Sequence, residues 1–254
     1  MCTRVSYTLD NGKTYNGRNM DWAVTPQPDI WAYPKGISRD GAAGPDSPTW
    51  VSDYASITTA NFNVATSDGV NEEGLVANLL WLGSSVYPEQ DSQRGRKPLS
   101  LAIWAQYILD TCKNVEEAIK SMDEVCVVTA YIPYSDKLAQ CHLSVSDAEG
   151  NSAIFEYVEG VLNISSNVES AGTSKCYPID QMRVMTNDPV FSQQLLLNGY
   201  WETLNDSREN TGADINLPGS SLSPDRFVRA SYYSKHLLTE DIDNTEALAG
   251  LAGV

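Results

Sequence analysis

The sequence contains little histidine and no clustered cysteine. Only His142 and His236 occur among 254 residues, and they lie far apart along the chain. The five cysteines are Cys2, Cys112, Cys126, Cys141 and Cys176. None forms a Cys-x-x-Cys pair and their number is odd, so a zinc site has few ligands to draw on and a reducing compartment is favoured. We expect no metal and no organic cofactor.

Long apolar runs and an excess of positive charge are also absent. No window approaches the roughly 18 uninterrupted apolar residues of a membrane span, and the N-terminus lacks the basic and apolar regions of a secretory signal. Seventeen Lys and Arg stand against 33 Asp and Glu, a formal charge of −16 that repels phosphate backbones. We therefore expect a soluble protein with neither membrane insertion nor a nucleic-acid partner. Its location is cytoplasmic as written, or periplasmic if an export signal was removed.

Alternating apolar and polar residues predict strands in the first part of the chain and again in the middle. Residues 2–22 predict a hairpin around a turn at 10–12, and the proline-rich residues 24–50 predict a loop around one short strand near 30–34. Further strands are predicted over 54–82, with Asp68-Gly69 and Glu73-Gly74 bracketing a tight connection. Alternation over 141–164 predicts three strands in meander order.

Helical spacing separates and follows these strands. It begins at Pro98, which the pattern places in a first helical turn, and a second helix is capped by Asn114 with Glu117 three residues later. Two more helices are predicted, from Pro189 to about Leu204 and from Ser223-Pro224 onward. The apolar tail 244–254 is also helix-like. Together the elements predict one α+β domain over residues 2–254, an antiparallel sheet with helices packed against it.

Cys2 becomes the N-terminal residue if Met1 is removed, a reaction favoured when the next residue is small. The freed α-amine, with a pKa of about 7.7 to 8.0, then lies beside a thiol with a pKa of about 8.5, so nucleophile and base share one residue. The return strand of the hairpin brings Arg18 and Asp21 beside Cys2. From residue types alone, however, Cys2 is more often an ordinary buried thiol, and Arg18 with Asp21 an ordinary surface pair.

Five blocks of sequence help to decide between a catalytic Cys2 and an ordinary buried thiol. They are CTRVSY, NGRNMDW, SDGVNEEGLVANLLWL, VMTNDPVF and LPGSSLSPDRFVRASYY. In order and spacing they resemble the choloylglycine hydrolase family, which contains conjugated bile acid hydrolases and penicillin V acylases. The resemblance implies an N-terminal nucleophile (Ntn) hydrolase fold of four αββα layers, with two antiparallel sheets between helix pairs. It also implies a homo-oligomer, commonly a tetramer, and a chain shortened at its C-terminus, because relatives continue with further strands.

The resemblance also implies roles for individual residues. Cys2 is the nucleophile with its own α-amine as base, and Asp21 holds both in position. Arg18 is the cation beside the thiolate, Asn187 donates its side-chain amide to the oxyanion, and Arg226 is the second arginine of the site. A further position, Trp81, stands where bile-acid members often carry asparagine and penicillin members tyrosine. Its backbone N–H is a candidate for the other oxyanion donor.

The substrate expected from these roles is an amphipathic N-acyl amide whose linear C–N bond is hydrolysed. Trp22, Phe62, Trp81 and Leu82 are predicted to line a pocket for its apolar acyl group. Conjugated bile salts are ranked first, then penicillin V, then acyl-homoserine lactones. Two alternatives of other kinds stay open: a non-catalytic relative that binds amphipathic acids, and a cysteine hydrolase that uses His142 or His236 as its base.

Overall fold

The computed structural model describes residues 1–9, 12–22, 28–88, 95–209 and 214–236. The strands are β1 (Cys2–Thr8), β2 (Thr14–Met20), β3 (Asp29–Tyr33), β4 (Ser38–Asp40), β5 (Thr49–Val51), β6 (Ser56–Asn61), β7 (Ala65–Asn71), β8 (Val76–Trp81), β9 (Lys97–Ser100), β10 (Val125–Val128), β11 (Cys141–Ser146), β12 (Ser152–Val158), β13 (Val161–Ser166), β14 (Lys175–Cys176) and β15 (Val184–Met185). The helices are α1 (Trp104–Thr111), α2 (Val115–Ser121), α3 (Phe191–Glu209) and α4 (Ser223–His236), with 3-10 turns at Leu101–Ile103 and Ile179–Arg183. The tip of the predicted first turn and the tail 244–254 lie outside the described residues.

Two stacked sheets form the centre of the fold. The large sheet has eight strands in the order β14-β13-β12-β11-β8-β7-β6-β3, and the small sheet has three in the order β15-β1-β2. Within these two sheets, pairing is antiparallel except between β13 and β14. Helices α1 and α2 pack on the large sheet, α4 packs on β1 and β15 with α3 beside it, and β1 contacts β8 across the sheets. The four layers are therefore αββα, which confirms the predicted fold class.

Apolar side chains fill the spaces between these layers. Trp104 of α1 meets Phe155 of β12 edge to face, with ring centroids 6.1 Å apart, in the core under the large sheet. A second core joins the small sheet to α3 and α4 through Phe191 and Phe227, and it reaches the large sheet through Leu80. In the described part of the chain, no helix has both the length and the apolar character needed to cross a bilayer.

The hairpin, the meander strands and the helix starts agree with the sequence pattern. β1 and β2 pair with Cys2 opposite Met20, and β11, β12 and β13 follow one another as predicted. Asn114 Oδ1 accepts a hydrogen bond of 3.0 Å from Glu117 N, which confirms the predicted cap of α2. Helix α4 begins at Ser223 as predicted, whereas α3 continues five residues beyond Leu204, to Glu209.

The prediction of a helix beginning at Pro98 is wrong at its start. Pro98 lies in β9, which pairs in parallel with β10 in a separate two-stranded sheet where a missing N–H is tolerated. Ser100 then caps the 3-10 turn through a bond from Ala102 N to its hydroxyl, at 3.3 Å. The α-helix itself starts at Trp104, so the apolar spacing was correct and the boundary was not.

The predicted loop over 24–50 contains more strand than expected. β3 forms an edge of the large sheet, and β4 pairs with β5 as a small hairpin of its own. Pro34, Pro45 and Pro48 fall in the connections between these strands, which is why the turn signal was strong and the strand signal weak.

Asp68 and Gly69 lie inside β7, so the prediction that they bound the tight connection on its N-terminal side is wrong. The turn lies only at residues 72–74, where Gly74 has φ +81°. A Cβ on Gly69 would lie 2.6 Å from Leu109 Cδ1 and 2.7 Å from Thr58 Cγ2. Gly69 is therefore required by close packing of the sheet on α1, and not by a turn.

We expect Gly69→Ala to lower the free energy of unfolding by about 1 to 3 kcal/mol, because the added methyl group overpacks this contact. Gly199→Ala is the matched control, since a Cβ on Gly199 in α3 meets nothing within 4 Å. Relief of the glycine penalty in a helix should make that variant more stable by up to about 1 kcal/mol. Urea unfolding of both variants measures the difference, and a Gly69→Ala protein as stable as wild type would contradict the packing argument.

Candidate active site

Cys2 is the first residue of β1, lines a cleft and is 4% exposed. Its pairing partner across the hairpin is Met20, and Arg4 pairs with Arg18. Residues two apart on a strand share a face, so the register places Cys2, Arg18 and Met20 on the same side of the small sheet. All three line the cleft, as expected from the sequence for Cys2 and Arg18.

The side chain of Asn187 bridges the backbone of Cys2 and that of Trp81. Cys2 N donates to Asn187 Oδ1 at 2.7 Å, and Asn187 Nδ2 donates to the carbonyl oxygen of Trp81 at 2.8 Å. Arg226 Nη2 also donates to Oδ1, at 2.8 Å. These partners fix which end of the amide carries the donors, and they hold a side chain that is only 8% exposed beside the nucleophile.

Arg226, in the first turn of α4, clamps the start of β1. Its Nη1 donates to the carbonyl oxygen of Cys2 and, at 2.6 Å, to Thr3 Oγ1, while Nε donates to Ser221 O at 3.0 Å. Burial lowers the pKa of this guanidinium, and the nearby Cys2 thiol opposes that shift. Arg226 therefore contacts the backbone of Cys2 and places a positive charge next to it.

Arg18 is held at the cleft by a partner that the sequence analysis missed. Its Nε lies 3.0 Å from Asp68 Oδ1, and its Nη2 donates to Leu79 O at 2.8 Å. Asn78 Nδ2 donates to the same carboxylate oxygen at 2.9 Å. The arginine side chain is 6% exposed, so it is not half of a surface pair with Asp21. Asp68-Gly69 has the sequence signature of a turn, so the pattern does not predict this role of Asp68.

Asp21 lies beside the chain terminus, with its side chain 72% exposed. Its backbone N donates to Met1 O at 2.6 Å, and its backbone oxygen accepts from Met1 N. The carboxylate Oδ2 is 4.0 Å from Met1 N. Asp21 thus contacts Met1, whereas removal of Met1 would create the free amine on the next residue, Cys2. The role of Asp21 in orienting that amine stays a prediction.

The cleft has a volume of about 130 Å³ and mostly apolar walls. Trp22 and Trp81 lie in it with ring centroids 5.2 Å apart and planes tilted by 58°. Phe62 also lines the cleft, from a tight turn where its φ is +54°. This conformation is uncommon for a bulky residue, and such outliers are concentrated at functional sites. Leu82 is the exception among the predicted lining residues: it is 0% exposed and lies outside the cleft wall. Neighbours on an extended chain point to opposite sides, so with Trp81 in the cleft Leu82 turns into the interior.

A second thiol, Cys141, lines the same cleft because β11 pairs it with Trp81. Burial raises the pKa of Cys141 to about 12, proximity to Cys2 adds to the rise, and Arg18 opposes it. At neutral pH the Cys141 thiol is therefore protonated and a poor nucleophile. Burial likewise raises the pKa of Cys112 to about 11 and that of Cys126 above its usual value.

His142 is fully buried and does not line the cleft. Its Nδ1 lies 3.0 Å from Glu156 Oε1, and its Nε2 lies 2.8 Å from Thr186 O. Both ring nitrogens are engaged inside the protein, which argues against His142 as the base of a cysteine hydrolase. The side chain of His236 lies outside the described part of the chain.

The segment that carries Asn187 is also tied to the end of β8. Asp188 Oδ2 accepts from Gly83 N and Oδ1 accepts from Ser84 N, each at 2.8 Å. No pattern in the sequence predicts these bonds, because only the fold brings Asp188 to residues 83 and 84. Cys2, Arg18 and Trp81 thus line one cleft, and Asn187 and Arg226 are hydrogen-bonded to the backbone of Cys2.

Several known proteins are similar to this chain in sequence or in structure. The chain is 39% identical over 247 residues to a penicillin V acylase of Pectobacterium atrosepticum, covering 93% of this chain and 60% of that protein. It is 26% identical over 256 residues to a bile salt hydrolase/transferase of Bifidobacterium longum, covering 93% of this chain and 74% of that protein. The structure of penicillin V acylase from Agrobacterium tumefaciens superposes with a TM-score of 0.81 at 38% identity, covering 99% of this chain and 70% of that one.

The chain therefore spans less than two thirds of the length of its Pectobacterium relative. A sequence profile described as linear amide C–N hydrolases, choloylglycine hydrolase family, matches residues 2–252. This match extends over almost the whole chain, and the chain belongs to the choloylglycine hydrolase family.

Proposed function

We propose that this protein is an N-terminal cysteine amidase that hydrolyses the linear C–N bond of an N-acyl amide with a compact, apolar acyl group. One observation carries the proposal: Asn187 connects the backbone nitrogen of Cys2 to the carbonyl of Trp81 at the edge of an apolar cleft that both residues line. A nucleophile, an amide donor and an acyl pocket thus meet at one point.

The chemistry follows from what each group can do. The free α-amine of Cys2 takes the proton of the thiol, and the sulfur forms a bond to the substrate carbonyl carbon. The oxyanion that results accepts a hydrogen bond from the second N–H of Asn187 Nδ2, whose first is bonded to Trp81 O. The Trp81 N–H remains a predicted second donor.

Collapse of the tetrahedral intermediate breaks the C–N bond, and the protonated α-amine gives its proton to the leaving nitrogen. Water then attacks the thioester, with the same amine acting as base, and the carboxylic acid leaves as Cys2 regains its proton. Arg18 and Arg226 keep positive charge near the thiolate, which favours its formation.

The acyl group is the less constrained part of the proposal. The sequence alone ranks bile salts above penicillin V, whereas the cleft and the relatives support the reverse order. Two relatives named penicillin V acylase share 39% and 38% of residues with this chain, against 26% for the bile salt hydrolase/transferase. A cleft of about 130 Å³ between Trp22, Phe62 and Trp81 suits one aromatic ring better than four fused rings.

Amine release from a substrate panel tests this function. Purified protein, with removal of Met1 verified by intact mass, is mixed with penicillin V, glycocholate, taurocholate and an acyl-homoserine lactone. We expect penicillin V to show a kcat/KM at least about tenfold above that of either bile salt, because a single aromatic ring suits the small apolar cleft better than a fused steroid.

A second test is Phe62→Leu, which removes the aromatic ring from the cleft wall. This substitution should reduce the preference for penicillin V over the bile salts. Turnover of bile salts alone would overturn the substrate and keep the reaction. Saturable binding of all four compounds without amine release, by a folded protein with a free Cys2 amine, would overturn the enzyme and support the non-catalytic alternative.

A further inference from the structure

The pair formed by His142 and Glu156 is buried and takes no part in the chemistry above. Both side chains sit on adjacent strands of the large sheet, β11 and β12. Glu156 also accepts from Phe191 N, at 3.0 Å to Oε1 and 3.1 Å to Oε2. The carboxyl group thus joins the imidazole to the first residue of α3.

The hydrogen bonds of His142 fix its donors. Nε2 faces the carbonyl oxygen of Thr186, which can only accept, so Nε2 carries a proton. Nδ1 faces Glu156 Oε1, and that contact needs one further proton, either on the imidazole or on the carboxyl group. In both cases the pair shares one proton and is neutral as a unit, which suits its burial.

The Thr186 carbonyl belongs to the same peptide group as the N–H of Asn187. That N–H donates to Ser223 Oγ at 2.8 Å, and the carbonyl accepts from His142 Nε2 at 2.8 Å. The peptide plane is held at both ends, by the large sheet on one side and by α4 on the other. Its orientation sets the direction in which the Asn187 side chain leaves the backbone, toward Cys2 and Trp81.

We propose that His142 and Glu156 are positioning residues for the oxyanion donor, acting through the Thr186–Asn187 peptide group. The inference rests on the proposed amidase function. Loss of the Nε2–H donor frees the Thr186 carbonyl, the peptide plane turns, and the Asn187 amide leaves the place where the oxyanion develops. Because that amide acts in the transition state, kcat falls while KM changes little.

Two double variants isolate the donor. In His142→Gln with Glu156→Gln, an amide N–H replaces Nε2–H and the shared proton is no longer needed. In His142→Leu with Glu156→Gln, the donor to Thr186 is lost and no buried carboxylate is left unpaired. We expect the first variant to keep kcat within about threefold of wild type, and the second to lose about tenfold or more with KM within about threefold.

Val127→Ala, a core truncation on the far side of the large sheet, is the control for lowered stability alone and should keep kcat. The proposal is overturned if the folded His142→Leu, Glu156→Gln protein keeps wild-type kcat. It is also overturned if the double glutamine variant is as inactive as Cys2→Ala, since His142 would then act directly.

The side-chain amide resonance of Asn187 gives a readout that does not depend on turnover. In protein labelled with ¹⁵N at asparagine, this resonance should move in the leucine variant and stay in place in the glutamine variant. If wild-type protein releases no amine from any substrate, the proposed function fails while the shift still decides the positioning role. An unmoved resonance in the leucine variant would overturn it.

Discussion

Blocking the α-amine of Cys2 should abolish amide hydrolysis as completely as removing its thiol. Insertion of a lysine between Met1 and Cys2 prevents trimming and leaves the nitrogen of Cys2 in an amide, which has no basic lone pair. In the structure this nitrogen donates to Asn187 Oδ1, and only a free amine can also accept the thiol proton. We expect kcat/KM to fall by about 10⁴-fold or more, as for Cys2→Ala. The amine and the thiol act as one unit, so loss of either removes the contribution of both.

The measurement pairs intact mass with amine release. An N-terminal extension ending in a protease site precedes Cys2, so that cleavage leaves Cys2 as the N-terminal residue. One sample is then assayed before and after cleavage. Recovery of activity on cleavage shows that the free amine is the missing component. It also shows that the uncleaved protein was folded. Full activity with the extension in place would contradict the mechanism, because the base would then have to be another residue.

Some of this site follows from local sequence and some does not. Alternation and the turn at 10–12 were enough to place Arg18 on the strand opposite Cys2, since a hairpin fixes its own register. By contrast, 185 residues separate Cys2 from Asn187 and 224 separate it from Arg226, and periodicity contains no information on such contacts. Those positions were identified only through the resemblance to a family.

The errors arise where a residue type has more than one use. Gly69 looked like a turn residue, but it is glycine because α1 approaches the strand closely. The same misreading concealed Asp68 as the partner of Arg18. His142 had no local signal either, because its two partners, Glu156 and Thr186, come together only when the two sheets stack. Tertiary packing decided each of these cases.

Replacing Asn187 by aspartate should reduce kcat by about 10² to 10³-fold and leave the fold intact. Aspartate keeps an oxygen for the hydrogen bonds from Cys2 N and Arg226 Nη2, at 2.7 and 2.8 Å, so the start of β1 stays clamped. The donor to Trp81 O and to the developing oxyanion is lost, and a negative charge takes its place. Loss of one oxyanion donor in a hydrolase costs this much, and charge repulsion makes aspartate at least as damaging as alanine.

Single-turnover kinetics with penicillin V measures this effect at the acylation step, before thioester hydrolysis can mask it. Asn205→Asp is the matched control, because Asn205 is equally buried, its Oδ1 accepts from Asn216 N at 3.1 Å, and it lies away from the cleft. That variant should acylate at the wild-type rate. If Asn187→Asp acylates within about threefold of wild type, the side-chain amide does not stabilise the oxyanion, and the donors must come from backbone groups such as the Trp81 N–H. If Asn187→Asp and Asn205→Asp lose stability and acylation rate in parallel, the effect is one of folding. Of these two residues, only Asn187 contacts the nucleophile and the cleft wall, so a direct effect on acylation should be confined to Asn187→Asp.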